Sequence, residues 1–319
     1  MVKSHNNQMG YITELPDNKD KPFGGAYSVY DEKLIKKRNN IIIDFAKNIH
    51  KNEDIKQEYF YVYKQWMNSN NNLLGLSEFK ESCFTQGTTE AFYQFYTRYR
   101  HKRLRLAHGE YFFHQMMSQL WFKNSFEWLN DDDIEEGDVL LISVPFSDTG
   151  DMPNDLEEIL IDCDNKNVPV MLDLAYINLA TNFEINLNHP SIEYVVTSLS
   201  KVFPVQLHRI GLRLQREKFE DQIYVVNEYN YDYINIMSVY LGLKMMQSFP
   251  SDWTYSKYRD LQRQMCEKYD LTISPCVYFG IDNKNKYSEY NRGNDTNRLC
   301  FSRIWDGRMK EPNTVDNKR

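Results

Sequence analysis

Clusters of basic side chains and long apolar runs are scarce in this sequence, and each scarcity excludes a class of protein. Lys and Arg number 38 against 45 Asp and Glu, and the one basic cluster, residues 98–103, is short. A nucleic-acid-binding protein usually carries a basic face, so we expect no nucleic-acid partner. No stretch approaches the ~18 apolar residues of a membrane helix, and the polar first residues lack the apolar core of a signal peptide. We therefore expect neither a membrane span nor secretion.

Cysteine is also scarce, and its distribution bears on the cellular compartment. There are five cysteines, an odd number, and none is spaced as a metal-binding pair. Scattered thiols of this kind are typical of a reducing compartment, so we expect a cytoplasmic protein without a metal site. They are Cys83, Cys163, Cys266, Cys276 and Cys300.

What the sequence does contain is a regular alternation of apolar runs and helical patterns. The first helices are predicted at 31–51 and 55–67, and helices are predicted again at 89–99, 153–162, 219–230, 233–246 and 253–269. Short strands are predicted around 83–86, 104–107, 138–144, 168–172, 195–196 and 271–281, with a last strand opening at Arg298. Unbroken apolar strands between helices are typical of a parallel sheet covered on both faces. The pattern therefore predicts an α/β fold.

Lys201 stands out because it follows one of these strands. Ligands of open α/β sheets bind at the carboxyl ends of the strands. A lysine there is easily desolvated, which lowers the pKa of its amine and favours the neutral, nucleophilic form. The alternative is a solvated lysine in an ordinary loop, and the choice depends on its neighbours.

Those neighbours are hydroxyls, an arginine, an acid and a phenol at fixed positions. Asp173 ends an apolar strand and Tyr176 follows it by three residues. The segment 85–91 places Gly87, Thr88 and Thr89 where a strand gives way to a helix. A helix start offers unpaired N–H groups and the positive end of the dipole, which suits a phosphate. A threonine cap of the helix is the alternative reading.

Together these motifs resemble the fold type I pyridoxal-phosphate enzymes, and within them the class I/II aminotransferases. GTTEA, PFSDTG, DLAY, SLSK and HRIG occur in the family's order between residues 80 and 215. The resemblance implies a large domain with a mostly parallel seven-stranded-type sheet covered by helices, and a small, abbreviated α+β domain. We expect an N-terminal arm and helix over 1–52, the large domain over 53–248 and the small domain over 249–319.

The resemblance also implies roles around the ring of pyridoxal 5'-phosphate. Lys201 would carry the cofactor as a Schiff base, Asp173 would pair with the ring nitrogen, and Tyr176 would hydrogen-bond the ring oxygen. Tyr111 would stack on the ring, with Phe112 or Phe113 as alternatives. Ser147 stands where the family usually has an asparagine that donates to the same oxygen.

Further roles concern the phosphate and the substrate. Gly87, Thr88 and Thr89 at the helix start, with Ser198 and Arg209, would hold the phosphate, while Ser200 is either a ligand or a spacer. Arg298 would bind the α-carboxylate of an amino-acid substrate, with Arg303 as the alternative. One of Tyr59, Tyr61 and Tyr63 would reach the phosphate of the other subunit, because the family is homodimeric with its active sites at the subunit interface.

The function implied is a pyridoxal-phosphate-dependent aminotransferase acting on an amino acid through the Lys201 Schiff base. The same residues would serve a lyase or cyclase of secondary metabolism, which eliminates or internally substitutes a β- or γ-substituent. Ser147 and the short C-terminal domain favour a specialised enzyme. The remaining alternative is a non-catalytic binding protein that has kept the fold.

Overall fold

The computed structural model describes residues 15, 22, 24–48, 55–122, 126–129, 131–228 and 233–305. Most of the first 25 residues, for which the sequence predicts only a polar arm, lie outside these ranges. The helices are α1 (Glu32–Asn48), α2 (Ile55–Asn68), α3 (Thr88–Tyr99), α4 (Phe112–Trp121), α5 (Leu156–Asn165), α6 (Gln222–Glu228), α7 (Ile236–Met246) and α8 (Trp253–Tyr269). Short 3₁₀ turns include Leu199–Lys201 and Phe301–Arg303.

The strands of the main sheet follow the apolar runs of the sequence. They are β2 (Glu81–Thr85), β3 (Arg103–Leu106), β4 (Phe126–Trp128), β5 (Asp138–Ser143), β6 (Val170–Asp173), β8 (Ile192–Ser198) and β9 (Gly211–Gln215). A two-stranded sheet joins β1 (Asn72–Leu74) to β7 (Glu184–Asn186). A third sheet joins β10 (Thr272–Ile273), β11 (Phe279–Asp282) and β12 (Asn297–Cys300).

The main sheet is seven-stranded and mostly parallel, as the family resemblance implies. Its strand order is β2-β9-β8-β6-β5-β3-β4, and β9 runs antiparallel to both of its neighbours. Every residue of β5 and β6 is buried, because helices cover both faces of the sheet. The parallel strands β5, β6 and β8 end at one edge, and this edge carries the candidate site.

The predicted helices are present, but three of them begin three residues later than predicted: α5 at Leu156, α6 at Gln222 and α7 at Ile236. Helix α4 was not predicted. The helix predicted over 153–162 begins at Leu156, because Asp155 adopts a left-handed conformation with φ 55°. A non-glycine residue of this conformation does not continue a helix.

The single strand predicted over 271–281 is wrong. The segment forms β10 and β11, which pair antiparallel with Thr272 opposite Ile281 and Ile273 opposite Gly280. The chain turns between them at Ser274 and Pro275, because proline has no N–H for a ladder and disfavours regular structure before it. The predicted strand at Arg298 is likewise short and passes into a 3₁₀ turn after Cys300. The domain boundaries at 52 and 248 stay a prediction.

Candidate active site

A cavity of about 230 Å³ lies at the carboxyl ends of the parallel strands. The predicted site residues in its wall are Thr88, Thr89, Tyr111, Ser147, Asp173, Tyr176, Lys201 and Arg209. Residues that the sequence did not indicate complete the wall: Gly25, Ala26, Tyr27, Ser143 and Ala175, together with Ser200, for which the sequence left the role open. The structure therefore brings residues from most of the chain's length to one place.

Lys201 ends the 3₁₀ turn that follows β8, and it lies in the cavity wall rather than in an open loop. Its Nζ atom donates a hydrogen bond of 2.6 Å to the carbonyl oxygen of Ala26. Desolvation lowers the pKa of the amine to about 8, although the nearby Asp173 carboxylate acts in the opposite direction. The amine is therefore neutral more readily than an exposed lysine.

Asp173 is the last residue of β6 and is buried. Its Oδ1 atom accepts a hydrogen bond of 3.0 Å from the backbone N–H of Ala175. Burial raises the pKa of Asp173 to about 7, and the charge of Glu110 adds to this effect. A carboxylate under these conditions is stabilised by a cationic partner.

Tyr176 lies in the same wall, with the Lys201 Nζ atom 5.8 Å from the centre of its ring. Its hydroxyl accepts a hydrogen bond of 3.3 Å from the backbone N–H of Ala26. Burial raises the pKa of Tyr176 to about 12, so the phenol keeps its proton and can donate into the cavity.

The start of α3 forms the opposite end of the cavity. The residue before the helix is Gly87, with φ 76°, and a side-chain carbon there would lie 2.5 Å from the Nη2 atom of Arg209. Arg209 donates to the carbonyl oxygen of Gln86 at 2.9 Å and to Thr89 Oγ1 at 3.4 Å. Since glycine occupies the cap position, neither threonine serves as the cap. The helix start, two hydroxyls and a guanidinium together fit a phosphate.

Ser198 and Ser200 have different contacts in the turn that ends at Lys201. Ser198 Oγ accepts from the backbone N–H of Ser200 at 3.2 Å and donates to the carbonyl oxygen of Ile210 at 3.1 Å. Ser200, not Ser198, belongs to the cavity wall. The structure therefore places Ser200 where a ligand could reach it and Ser198 in the turn that supports it.

Tyr111 is the cap residue immediately before α4, and it is the aromatic residue of its loop that lines the cavity. Phe113 stacks behind it, with ring centres 5.8 Å apart and planes at 22°. His114 meets the Tyr111 ring edge-on at 90° and is fully buried, which lowers its pKa to about 3. These two neighbours fix the plane of the Tyr111 ring.

Arg292 was not indicated by the sequence, because it lies in a polar segment between two short strands. Its side chain is fully buried, and Nη1 donates to the Ser147 carbonyl oxygen at 2.8 Å and to Ser147 Oγ at 3.4 Å. Its Nη1 atom also lies 3.5 Å from a carboxylate oxygen of Asp148. Burial lowers the pKa of Arg292 to about 10. Arg292 thus supports the residue that stands in the place of the family's asparagine.

Arg298 lies on β12, directly behind the cavity wall. Nη1 donates to the Ser147 carbonyl oxygen at 2.6 Å, and Nη2 donates to the Gly24 carbonyl oxygen at 2.8 Å. Residues 24–29, here named the strap, lie between Arg298 and the cavity, since Gly25 and Ala26 belong to the cavity wall. The backbone of the strap occupies the position next to Arg298 that a carboxylate would need.

The predicted tyrosines of the early chain differ in exposure. Tyr59 and Tyr63 are fully buried, and the Tyr63 hydroxyl lies 2.9 Å from Thr197 Oγ1. Tyr61 is 69% exposed. Of the three, Tyr61 alone could contact another subunit. The side chain of Arg303 lies outside what the structure describes.

The sequence predicts neither a metal site nor a membrane span. Within the described ranges, no group of three or more His, Cys, Asp and Glu side chains is placed to hold a metal ion. No helix in the described part of the chain has the length and apolar character that a membrane span requires.

Comparison with known proteins agrees with the resemblance seen in the motifs. Residues 95–238 match the family model of aminotransferase class I and II. A search of curated proteins found no match. Similar solved structures include aspartate aminotransferase from Thermus thermophilus with maleate, with a TM-score of 0.60, 12% identity, and coverage of 88% of this chain and 86% of that chain.

Two other solved structures of similar fold are of enzymes with different activities. The histidinol-phosphate aminotransferase of Clostridium acetobutylicum gives a TM-score of 0.56 at 13% identity, covering 89% of this chain and 98% of that one. A PLP-bound C-S lyase from Staphylococcus hominis gives a TM-score of 0.64 at 11% identity, covering 95% of this chain and 93% of that one. The family match and the shared fold together confirm that this chain resembles the class I/II aminotransferases and has the fold type I architecture.

Proposed function

We propose that this chain is a pyridoxal-phosphate-dependent enzyme acting on an amino acid, with transamination as its reaction. The observation that carries the proposal is the meeting of Lys201, Asp173 and Arg209 in one cavity of about 230 Å³. A desolvated amine can bind an aldehyde, and a buried carboxylate can pair with a ring nitrogen. An arginine beside a helix start can bind a phosphate.

The residues present fit pyridoxal 5'-phosphate. Lys201 would hold its aldehyde carbon, Asp173 its ring nitrogen and Tyr176 its ring oxygen. Thr88, Thr89, Ser200, Arg209 and the backbone at Gly87 would hold its phosphate. When bound, the cofactor supplies an electron-accepting ring that stabilises negative charge on the substrate carbon next to the amino group.

The protein's own side chains would orient the substrate and move the proton. The lowered pKa of Lys201 makes its amine a suitable base for the α-proton, which it can return at a neighbouring carbon. Arg298 would pair with the substrate carboxylate through both Nη atoms once the Gly24 carbonyl has moved away. The strap would cover the reacting atoms and exclude water.

Cofactor binding is tested by visible absorbance after incubation with pyridoxal 5'-phosphate. We expect an absorbance band in the wild type that is lost in Lys201→Ala. The matched control is Lys166→Ala, since Lys166 is a lysine beyond the end of α5 with a 37% exposed side chain, and this variant should keep the band. The proposal fails if the wild type shows no band, or if Lys201→Ala keeps it.

The reaction is tested by incubating the loaded protein with single amino acids in the absence of a keto acid. Transamination predicts one turnover per site, with a keto acid as product and the amino group retained by the cofactor. Continued turnover to a different product, with release of a β- or γ-substituent, would instead support the lyase or cyclase alternative. Binding without any product would support the non-catalytic alternative.

We also propose a homodimer. Leu207 is 88% exposed two residues before Arg209, and Tyr233, 72% exposed, lines a small groove that also includes Arg209. Large apolar side chains at the rim of the site suit a subunit interface. Sedimentation velocity should show a dimer that Leu207→Asp weakens. A monomeric wild type would contradict this part of the proposal.

A further inference from the structure

We propose that Glu110 is a second carboxylate of the cofactor site, placed behind Asp173, whose negative charge keeps the ring nitrogen of the bound cofactor protonated. Glu110 does not line the cavity and would act through Asp173 as a positioning residue. The inference rests on the proposed function, because it concerns the same cofactor site.

The first support is the way in which Glu110 is held. It is buried, with 6% of its surface exposed, between β3 and α4. Its Oε1 atom accepts from the Tyr111 N–H at 2.7 Å and from Ser143 Oγ at 2.5 Å, and its Oε2 atom accepts from the Ser143 N–H at 2.8 Å. Burial raises the pKa of Glu110, while the three donors and the charge of Arg292 act in the opposite direction and favour the charged form.

The second support is the position of Ser143 relative to Asp173. Ser143 ends β5 and is paired with Asp173 at the end of the neighbouring strand β6. Both residues line the cavity. Glu110 binds both the backbone and the side chain of Ser143. Ser143 therefore stands between Glu110 and Asp173, the carboxylate that would meet the ring nitrogen.

The third support is electrostatic. In the cofactor-free protein, burial and then the charge of Glu110 raise the pKa of Asp173, so the two carboxylates repel each other. A protonated ring nitrogen beside Asp173 relieves this repulsion, whereas an unprotonated one does not. The pair of carboxylates therefore selects the protonated ring more strongly than Asp173 alone.

Other charged and titratable groups act on this pair, and none of them substitutes for Glu110. Lys201 lowers the pKa of Asp173, and Arg292 lowers that of Glu110. Burial keeps the nearby phenols protonated and the imidazole neutral, so they add no charge at neutral pH. They are Tyr96, Tyr111 and His114.

Glu110 also links the charge to the plane of the ring. Glu110 accepts a hydrogen bond from the backbone N–H of Tyr111, the cap residue of α4, which faces the cavity. A purely structural role would consist of this anchoring alone. The two roles are separable, because Glu110→Gln removes the charge whereas Glu110→Asp retains it.

The test uses protein loaded with cofactor that carries ¹⁵N in its ring, and follows the ¹⁵N chemical shift from neutral to alkaline pH. We expect the wild-type nitrogen to stay protonated across this range. Glu110→Gln keeps the shape but removes the charge, and should lower the pH at which the nitrogen loses its proton by about one unit. Glu110→Asp keeps the charge but shortens the side chain, and should stay closer to the wild type than Glu110→Gln does.

The outcomes separate the two proposals. If the wild type shows no absorbance band with the cofactor, the proposed function fails and this inference fails with it. If the band is present but Glu110→Gln leaves the ¹⁵N titration unchanged, or Glu110→Asp shifts it equally, the inference about Glu110 alone is overturned. Should Glu110→Gln fail to fold, the wild-type titration decides, since a nitrogen that titrates as in free cofactor contradicts the proposal.

Discussion

The side-chain amine of Lys201 donates a hydrogen bond of 2.6 Å to the backbone carbonyl of Ala26, a residue 175 positions earlier in the chain. Gly25, its neighbour in the strap, has no side chain, and a carbon added there would lie 3.1 Å from the same amine. Because Gly25 has no side chain, the backbone of the strap can approach Lys201 closely at this point.

Gly25→Val should separate folding from cofactor binding. In the cofactor-free protein the long Lys201 side chain can move aside, so we expect little change in the melting temperature. Once Lys201 holds the cofactor it cannot move, and overpacking should weaken cofactor affinity at least about tenfold. The two measurements are thermal unfolding without cofactor and absorbance titration with it. Unchanged affinity would show that the strap lies elsewhere in the loaded protein.

Arg298→Lys tests the carboxylate site. Lysine keeps the charge but cannot pair with a carboxylate through two parallel hydrogen bonds. We expect the amino-acid concentration needed for half of the spectral change to rise about tenfold or more, with cofactor affinity nearly unchanged. If both affinities fall together, Arg298 supports the Ser147 loop rather than the substrate.

Arg209→Ala tests the phosphate site, and the unphosphorylated cofactor serves as its internal control. Arg209 is exposed and lies against Gly87 and Thr89, so its loss should leave folding intact. We expect affinity for pyridoxal 5'-phosphate to fall on the order of 10-fold to 100-fold, since charge-assisted pairs are the stronger hydrogen bonds. Affinity for pyridoxal should not change. An equal loss for both compounds would contradict phosphate binding by Arg209.

The reactivity of Lys201 should depend on pH in a defined direction. Its pKa in the folded protein is about 8, below the ordinary lysine value, so the neutral amine forms as pH rises through 8. Reductive methylation of the cofactor-free protein, followed by mass spectrometry, should modify Lys201 with half-maximal rate near this pH. A lysine of ordinary pKa, about 10.4, should respond about two units higher.

The same measurement on Asp173→Asn gives the sign of the coupling. The Asp173 carboxylate raises the pKa of Lys201, so removing its charge should move the Lys201 profile to lower pH. A shift to higher pH, or none, would mean that the two groups do not interact as their positions indicate.

Arg292 and Asp148 should show coupled effects on stability. Both side chains are fully buried, and Thr296 Oγ1 donates to the second carboxylate oxygen of Asp148 at 3.0 Å. Arg292→Met leaves that carboxylate without its cation, which we expect to lower the free energy of unfolding by about 3 kcal/mol. Adding Asp148→Asn should restore part of this loss. Urea unfolding of the wild type, both single variants and the double variant gives the coupling energy, and additive losses would exclude the pairing.

The sequence predicted the elements that local patterns determine. The unbroken apolar run before Ser143 indicated a buried strand, and the spacing of Leu34, Ile42 and Phe45 indicated a helix. The order of the strands in the sheet could not be read in this way. It follows from how the crossover helices pack, and the motif resemblance implied a mostly parallel seven-stranded sheet but no strand order.

The residues of the candidate site also differ in whether a local sequence pattern indicated them. Asp173 and Lys201 were predicted because they end strands within recognisable motifs. Arg292 was missed because it meets Ser147 across 145 residues, from a segment with no pattern of its own. Glu110 offered a faint signal, an acid directly before the three aromatic residues 111–113. Gly24 with Gly25 offered another, since paired glycines permit close backbone approach.

The strap is attached mainly through side chains. The Ala26 N–H donates to the Tyr176 hydroxyl at 3.3 Å, the Val29 N–H donates to the Tyr278 hydroxyl at 3.2 Å, and Arg298 meets Gly24 across 274 residues. None of these three contacts belongs to a backbone ladder, so each can break without disturbing the next. The strap can thus detach from the cavity while the sheet stays intact, and exchange of small molecules with solvent does not require the protein to unfold.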